Sequence, residues 1–390
     1  MTEVEINAST GRLPTIGDAP LPMSPLSKLY VEPTNGCNLQ CRTCIRNTWD
    51  EPVGQMSALT FTRILEGLRA FTPVPIVFFG GFGEPLAHPG IVEMTVQAKS
   101  LGATVELITN GTFLTPSLSH QLIAAGLDRL WVSLDGATPE SYADVRLGAA
   151  LPRVLDNLAH FRDARQPVHP ARPEIGIAFV AMKRNIADLP DLIHLGSRLG
   201  ASHFLVSNVL PYTAEMRDEV LYARSLSYGY LPPSRWAPQI NLPKIDWNTT
   251  TREPLYRLMR SHPNLVLAGA ALGNAYNRCP FIERGAAAVG WDGRLSPCLP
   301  LLYNHLSFVN EQERFSQRYT VGNVAEHSLS DLWQTPEYVA FRQRVQAFDF
   351  SPCLFCGGCN YSETNEEDCF GNSRPTCGGC LWAQGLIQCP

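Results

Sequence analysis

The chain lacks the features on which several classes of protein depend. Basic residues are not in excess: 31 Lys and Arg stand against 36 Asp and Glu, for a formal net charge of -5. No Lys/Arg run is dense enough to follow a phosphate backbone, so nucleic acid is not an expected partner. The first residues, MTEVEINASTGRLP, are acidic where an export signal starts basic, and no apolar stretch follows them. The expected compartment is the cytoplasm. No segment approaches the roughly 18 uninterrupted apolar residues of a membrane helix. The longest apolar runs, such as Ile76 to Phe79, have strand length, which argues against a membrane partner. No internal repeat of solenoid period appears.

Cysteine, by contrast, is plentiful, with 12 in 390 residues. A reducing compartment keeps thiols free, so metal or cluster ligation is the default use and disulfide pairing the minor alternative. A chain of this length, 45% hydrophobic, buries a large core as two domains or as one domain with an appendage.

Residues 1–27, rich in Pro, Gly, Ser and Thr, read as a poorly ordered lead-in. From Lys28 onward apolar runs alternate with amphipathic ones: KLYVE, PIVFF, TVELIT, RLWVSL, EIGIAFV and SHFLVS are separated by stretches of helical period. Strands apolar on both sides and separated by helices imply a parallel sheet covered on its faces. The fold class expected for residues 28–208 is therefore α/β, a partial (β/α)6 TIM-like barrel. Gly102, Gly126 and Gly200 sit just past three helical runs, where a left-handed residue is wanted. Residues 209–278 show no clean periodicity and read as an irregular connection over the barrel mouth. Nine of the twelve cysteines lie in residues 279–390, where a separate cysteine-rich, metal-bearing domain is expected.

The first chemical motif is Cys37, Cys41 and Cys44, spaced C-x3-C-x2-C directly after the first strand. Three thiolates without a fourth Cys or His nearby can hold three irons of a [4Fe-4S] cluster and leave the fourth iron open, whereas structural zinc closes its tetrahedron. In this position the spacing resembles the radical S-adenosylmethionine superfamily. The resemblance implies that the open iron takes the amino and carboxylate groups of S-adenosylmethionine (AdoMet). It implies further that one electron from the reduced cluster breaks the carbon-sulfur bond, and that the 5′-deoxyadenosyl radical so formed abstracts hydrogen from a substrate.

GGFGEP, Gly80 to Pro85, follows the second strand and resembles that superfamily's amino-group-binding loop. The resemblance assigns cofactor contacts to Gly80, Gly81, Gly83 and Glu84; read alone, the segment serves equally as a tight turn. Thr109 and Asn110 after the third strand, and Ser133 and Asp135 after the fourth, resemble positions lining the cofactor, against the alternative of capping and turn chemistry. Arg146 resembles an arginine for the cofactor carboxylate. Their shared place, at the carboxyl ends of successive strands, is where α/β barrels build active sites. His88 reads as a loop or helix-start residue, while Asp292 and Tyr303 are candidates to quench a substrate radical.

Cys279-x13-Gly293-x4-Cys298 resembles the opening of a SPASM domain, the auxiliary iron-sulfur extension of many radical AdoMet maturases. Gly322, Asn323, Trp333 and Arg342 resemble the link to its second cysteine group. That group departs from the usual pattern: Cys353, Cys356, Cys359 and Cys369 are followed by Cys377, Cys380 and Cys389. One or two auxiliary [4Fe-4S] clusters are implied. Zinc is the alternative, since the pairs Cys353/Cys356 and Cys377/Cys380 have a zinc-ribbon spacing.

The resemblance implies a protein or peptide substrate, or a bound cofactor, and an electron donor such as ferredoxin or flavodoxin. The tail from Glu366 to Pro390 resembles the maturases associated with tungsten-dependent aldehyde oxidoreductases, which makes such a tungsten-containing oxidoreductase an expected partner. A peptide-natural-product maturase and a sulfatase-type maturase are the alternatives. The first often carries a recognition domain for which 27 residues leave no room. The second expects an aspartate where Leu299 stands. A non-catalytic iron-sulfur or zinc protein is the alternative of another class.

Overall fold

The computed structural model describes residues 25–165, 172–222, 238, 240–243, 245–246, 248–261, 265–267, 270–272, 277–309, 312–351, 353 and 359–390. Most of the expected lead-in, residues 1–24, lies outside them. Its last residues are part of the fold: Leu26 is buried in the core, and Ser27 N donates to Gly285 O at 2.7 Å.

Six apolar runs form β1 (Lys28–Val31), β2 (Ile76–Phe79), β3 (Val105–Thr109), β4 (Arg129–Ser133), β5 (Glu174–Ala181) and β6 (Ala201–Asn208). Between them stand α1 (Ala58–Leu68), α2 (Ile91–Ser100), α3 (Pro116–Ala124), α4 (Pro139–Val145), α5 (Leu151–Arg165) and α6 (Leu189–Arg198). Side-chain caps start three of these helices. Ser57 and Thr115 cap α1 and α3, and a Thr138/Ser141 capping box opens α4; each such cap contributes about 1 kcal/mol. The glycines expected past α2, α3 and α6 hold φ of 80°, 81° and 77° at Gly102, Gly126 and Gly200.

All pairs from β1 to β6 are parallel, so every strand delivers its carboxyl end to the same edge. The sheet does not stop at β1. β10 (Ala286–Val289) lies parallel on its other side, followed by antiparallel β11 (Arg294–Ser296) and β14 (Gly322–Asn323), giving nine strands. The cysteine-rich segment thus extends the barrel sheet, with the hairpin β12 (His305–Val309) and β13 (Gln312–Ser316) projecting from it. The segment expected to be irregular carries a helix at Arg252–Ser261 and a three-stranded sheet of β7 (Ile240–Leu242), β8 (Leu265–Leu267) and β9 (Ala270–Leu272).

Two features tie the barrel strands together. At the starts of the strands Glu106 on β3 joins Lys28 on β1 at 3.0 Å and Arg129 on β4 at 2.9 Å, while Arg129 reaches Glu174 on β5 at 2.6 Å. The open seam beyond β6 is spanned by residues 386–390. Asn208 Nδ2 donates to Leu386 O at 2.9 Å, Gln388 N donates to Ser207 Oγ at 2.9 Å, and Lys28 Nζ donates to Pro390 O at 2.9 Å.

Candidate active site

The loop leaving β1 is built to present cysteines. Thr34 Oγ1 accepts from Gly36 N at 3.0 Å and donates to Gly54 O at 2.6 Å, and Asn35 holds Pro52 O and Gly54 N at 2.9 and 2.8 Å. Beyond this staple Leu39 and Ile45 are buried at 2% and 1% exposure. Cys37, Cys41 and Cys44, only partly buried, are held between these anchors.

The glycine-rich loop wedges between that segment and β3. A Cβ at Gly83 would lie 2.1 Å from Thr34 O, and one at Gly81 would lie 2.5 Å from Glu32 Oε1, so neither position tolerates a side chain without displacement. Glu84 N donates to Gly36 O at 2.9 Å, tying the loop to the cysteine segment. The buried Glu84 carboxylate accepts from Thr109 Oγ1 (2.7 Å), Asn110 N (2.7 Å) and Leu86 N (3.0 Å). Burial raises its pKa against these donors. Most of its acceptor capacity therefore serves to hold the loop on β3.

Asn110 Nδ2 donates to Asn38 Oδ1 at 3.0 Å and faces Cys37 Sγ at 3.8 Å. Asp135 is wholly buried; its Oδ1 accepts from Val180 N at 2.8 Å and its Oδ2 from Arg146 Nε at 2.6 Å. The Arg146 guanidinium in turn faces Cys41 Sγ at 3.9 Å. Burial opposes the charge on Arg146, and the Asp135 carboxylate outweighs it, so the guanidinium stays cationic. Burial also raises the Cys41 thiol, and that of Cys44 to about 11. Without metal these are protonated thiols, and iron would displace their protons.

These side chains converge on an open cleft of about 800 Å³. Cys37, Cys41 and Cys44 form one wall, Gly81, Gly83 and Glu84 another, and Thr109, Asn110, Ser133 and Arg146 a third. Gly80 and Asp135 do not border it: Gly80 packs on Phe78 and Ile108, and Asp135 acts through Arg146. Sequence reasoning missed Thr43, Phe82, Ile108 and Tyr212 on the same walls. The first three lie inside or beside recognised motifs, but Tyr212 has no signal of its own. A neighbouring cavity of about 710 Å³ shares Ser133, Arg146 and Tyr212 and reaches Trp382, Gln388 and Cys389.

His88 stands apart, bonded to Met56 O at 3.0 Å and accepting from Gly90 N at 3.1 Å. Neither Asp292 nor Tyr303 lines the cleft. Asp292 pairs with Arg294, and Tyr303 donates to Glu32.

At the other end Cys279, Cys298, Cys377 and Cys380 border one largely apolar cavity, with His305 and Arg314. Burial pushes the Cys279 thiol to about 12 and the Cys298 and Cys377 thiols well above the usual range. The expected link packs here: Arg342 stacks 3.8 Å from the Trp333 ring and donates to Trp333 O at 2.7 Å. Cys377 and Cys380 border the same cavity as Cys279 and Cys298, while the Cys353/Cys356 half of the zinc-ribbon spacing falls partly outside the described residues. Cys353 lies beside Ser351 Oγ at 2.9 Å, Cys359 and Cys369 are exposed, and Cys356 lies outside the described residues. Cys389 accepts from Trp382 Nε1 at 3.3 Å and does not border that cavity. Among the described residues no three Cys, His, Asp or Glu side chains close tightly enough for a single metal ion.

Residues 31–195 match the Radical SAM superfamily, and residues 279–360 match SPASM, an iron-sulfur cluster-binding domain. A protein of Pyrococcus furiosus, the tungsten-containing aldehyde ferredoxin oxidoreductase cofactor-modifying protein, is 31% identical over 366 residues, 93% of this chain and 96% of that protein. The chain belongs to the radical SAM superfamily. As a radical SAM enzyme with a SPASM domain it is of the maturase type, and its domains imply AdoMet, a [4Fe-4S] cluster and auxiliary iron-sulfur clusters. The PqqA peptide cyclase of Gluconobacter oxydans is 29% identical over 368 residues, 92% of this chain and 91% of that protein. Among solved structures, Streptococcus suis SuiB bound to the precursor peptide SuiA shares the fold, with a TM-score of 0.55 and 18% identity over 85% of this chain and 69% of that one. Among the described residues no helix is long and apolar enough to cross a membrane.

Proposed function

We propose that this radical SAM enzyme binds its catalytic [4Fe-4S] cluster through Cys37, Cys41 and Cys44 and modifies a cofactor or peptide segment during maturation of a tungsten-dependent aldehyde oxidoreductase. The observation that carries the site reading is the single cleft whose walls are those three thiols, the Gly81–Glu84 loop and the polar strand ends of β3 and β4. The donor set fits the cluster, because among the described residues no fourth Cys or His lines the cleft. Once bound, the cluster supplies the electron that splits AdoMet.

The chain's own residues do the positioning. Arg146, cationic and fixed by Asp135, offers its guanidinium to a carboxylate, and Ser133 and Asn110 offer polar contacts. Glu84 keeps the loop seated against β3. The adjoining cavity bounded by Tyr212, Trp382 and Cys389 is the place for the substrate group. Cys279, Cys298, Cys377 and Cys380 supply the thiols of one auxiliary cluster, and ferredoxin or flavodoxin supplies electrons.

The substrate reading is supported by the 31% identity to the tungsten-cofactor protein of Pyrococcus furiosus over nearly the whole of both chains. Anaerobic reconstitution tests both parts. About eight to twelve irons per chain, from two or three four-iron clusters, with 5′-deoxyadenosine formation, is the expected result. Formation should accelerate with an immature tungsten oxidoreductase and not with unrelated peptides. Acceleration by a precursor peptide alone would favour the peptide-maturase reading suggested by the likeness to PqqA peptide cyclase.

A further inference from the structure

A buried carboxylate outside the cleft gathers donors from separate parts of the chain. Glu32, the first residue past β1, is 1% exposed. Its Oε1 accepts from Phe82 N, inside the glycine-rich loop, at 2.8 Å, and its Oε2 accepts from the Tyr303 hydroxyl. The backbone N–H of Trp291, in the β10–β11 turn, also favours its ionised form. Tyr303 is itself 2% exposed, with its ring edge-on to Trp49 at 4.5 Å and to Phe82 at 6.0 Å. It follows the short turn Leu299–Leu301 that Cys298 opens. Phe82 lines the cleft beside the three cysteines.

The two side chains therefore join the cysteine-bearing C-terminal segment to the loop above the cofactor cleft. We propose that Glu32 and Tyr303 are positioning residues that seat Phe82 and its loop for AdoMet, and that Tyr303 makes this seating depend on the segment carrying Cys298. The assignment rests on reading the cleft as the AdoMet site.

An ionised Glu32 accepts from Phe82 N and Tyr303 together. Protonation on the oxygen facing Tyr303 is tolerated, because that hydroxyl accepts as well as donates, and it leaves Oε1 to Phe82 N without the charge that strengthens the bond. Burial first, and the neighbouring Asp292 charge after the opposing hydrogen bonds, bring Glu32 up to about 7. The charged groups facing the pair are Asp292 and, beyond it, Arg294, which are paired with each other. Glu84, from the glycine-rich loop, turns its carboxylate away to Thr109 and Asn110. Released to solvent, Glu32 would return to the ordinary carboxylate range, so loop seating, and AdoMet affinity with it, should weaken as pH rises toward about 7.

The test uses the full chain as wild type, Tyr303→Phe and Glu32→Gln. AdoMet dissociation constants are measured on reconstituted enzyme by equilibrium dialysis from about pH 5.5 to about 8.5. Hydrogen exchange of the Phe82 amide is followed on iron-free protein, with circular dichroism as the check of folding. Losing one hydrogen bond to a buried carboxylate predicts about tenfold weaker AdoMet binding and about tenfold faster Phe82 exchange in Tyr303→Phe. The pH midpoint should move upward in that variant, the triad iron should stay, and the pH dependence should flatten in Glu32→Gln. Wild-type affinity with an unmoved midpoint in both variants would overturn the proposal. So would a loss of thermal stability alone, with Phe82 exchange unchanged. If wild type itself fails to bind AdoMet, the reading of the cleft fails, and Phe82 exchange still decides for or against the pair.

Discussion

Replacing Asp135 tests how the site holds its cation. Its side chain is 0% exposed and that of Arg146 13%, and Nε to Oδ2 is 2.6 Å, so the pair is largely shielded from water. Asp135→Ala leaves the guanidinium without its counter-charge, which for a buried pair costs about 3–5 kcal/mol. It also strips Val180 N–H of its acceptor at 2.8 Å, worth about 1–3 kcal/mol. One side chain makes both interactions, so the losses overlap and do not simply add. Asp135→Asn keeps an acceptor for Val180 but turns an NH2 donor on the Arg146 Nε–H; it should lose less stability than Ala while still releasing Arg146. Urea unfolding of iron-free protein measures the first quantity, and AdoMet affinity of the reconstituted enzyme the second. Both variants should bind AdoMet about tenfold or more weakly. An Asn variant that is destabilised yet binds AdoMet as wild type does would refute the argument that Asp135 acts by positioning Arg146.

Three further outcomes follow from the geometry. Cys41→Ala should abolish 5′-deoxyadenosine formation while the C-terminal iron remains; wild-type cleavage in that variant would sink the assignment of the triad. Gly83→Ala forces a Cβ to within 2.1 Å of Thr34 O, and backbone cannot swing aside as a side-chain tip can. The cost should be about 1–3 kcal/mol, with iron lost from the adjoining cysteine loop; an unchanged thermal midpoint and iron content would show the loop to be looser than its packing. Cys389→Ala should leave total iron unchanged, because Cys389 lies on the second cavity against Trp382 and not on the cavity of Cys279, Cys298, Cys377 and Cys380. A loss of about four irons would return it to the ligand set.

The barrel was legible because its interior strands are apolar on both faces, so VELIT and EIGIAFVA read as strands without partners being known. The helix ends were legible because a left-handed residue past the last turn is usually glycine, as at Gly102, Gly126 and Gly200. β10 was not. Its sequence AAAV has little strand preference, and it becomes a strand because it pairs between β1 and β11 with every residue buried. That one pairing decides the architecture, since it brings the cysteine-rich segment onto the barrel sheet instead of leaving it a separate body.

The site divides in the same way. Motifs whose members lie within a few residues, Cys37 to Cys44 and Gly80 to Glu84, were readable because chain geometry alone keeps them together. The C-terminal thiols were not, because grouping them needs distances that spacing does not contain. Cys279 and Cys380 lie far apart in sequence, and only the sheet extension through β10 and β11 turns them toward a common cavity. Glu32 shows the deeper reason. As the last letter of KLYVE it reads as the polar end of a strand, and its role exists only because the glycine-rich loop and Tyr303 arrive from either side of it. A residue that acts by holding others in place carries no motif, and its function becomes visible only when its partners are.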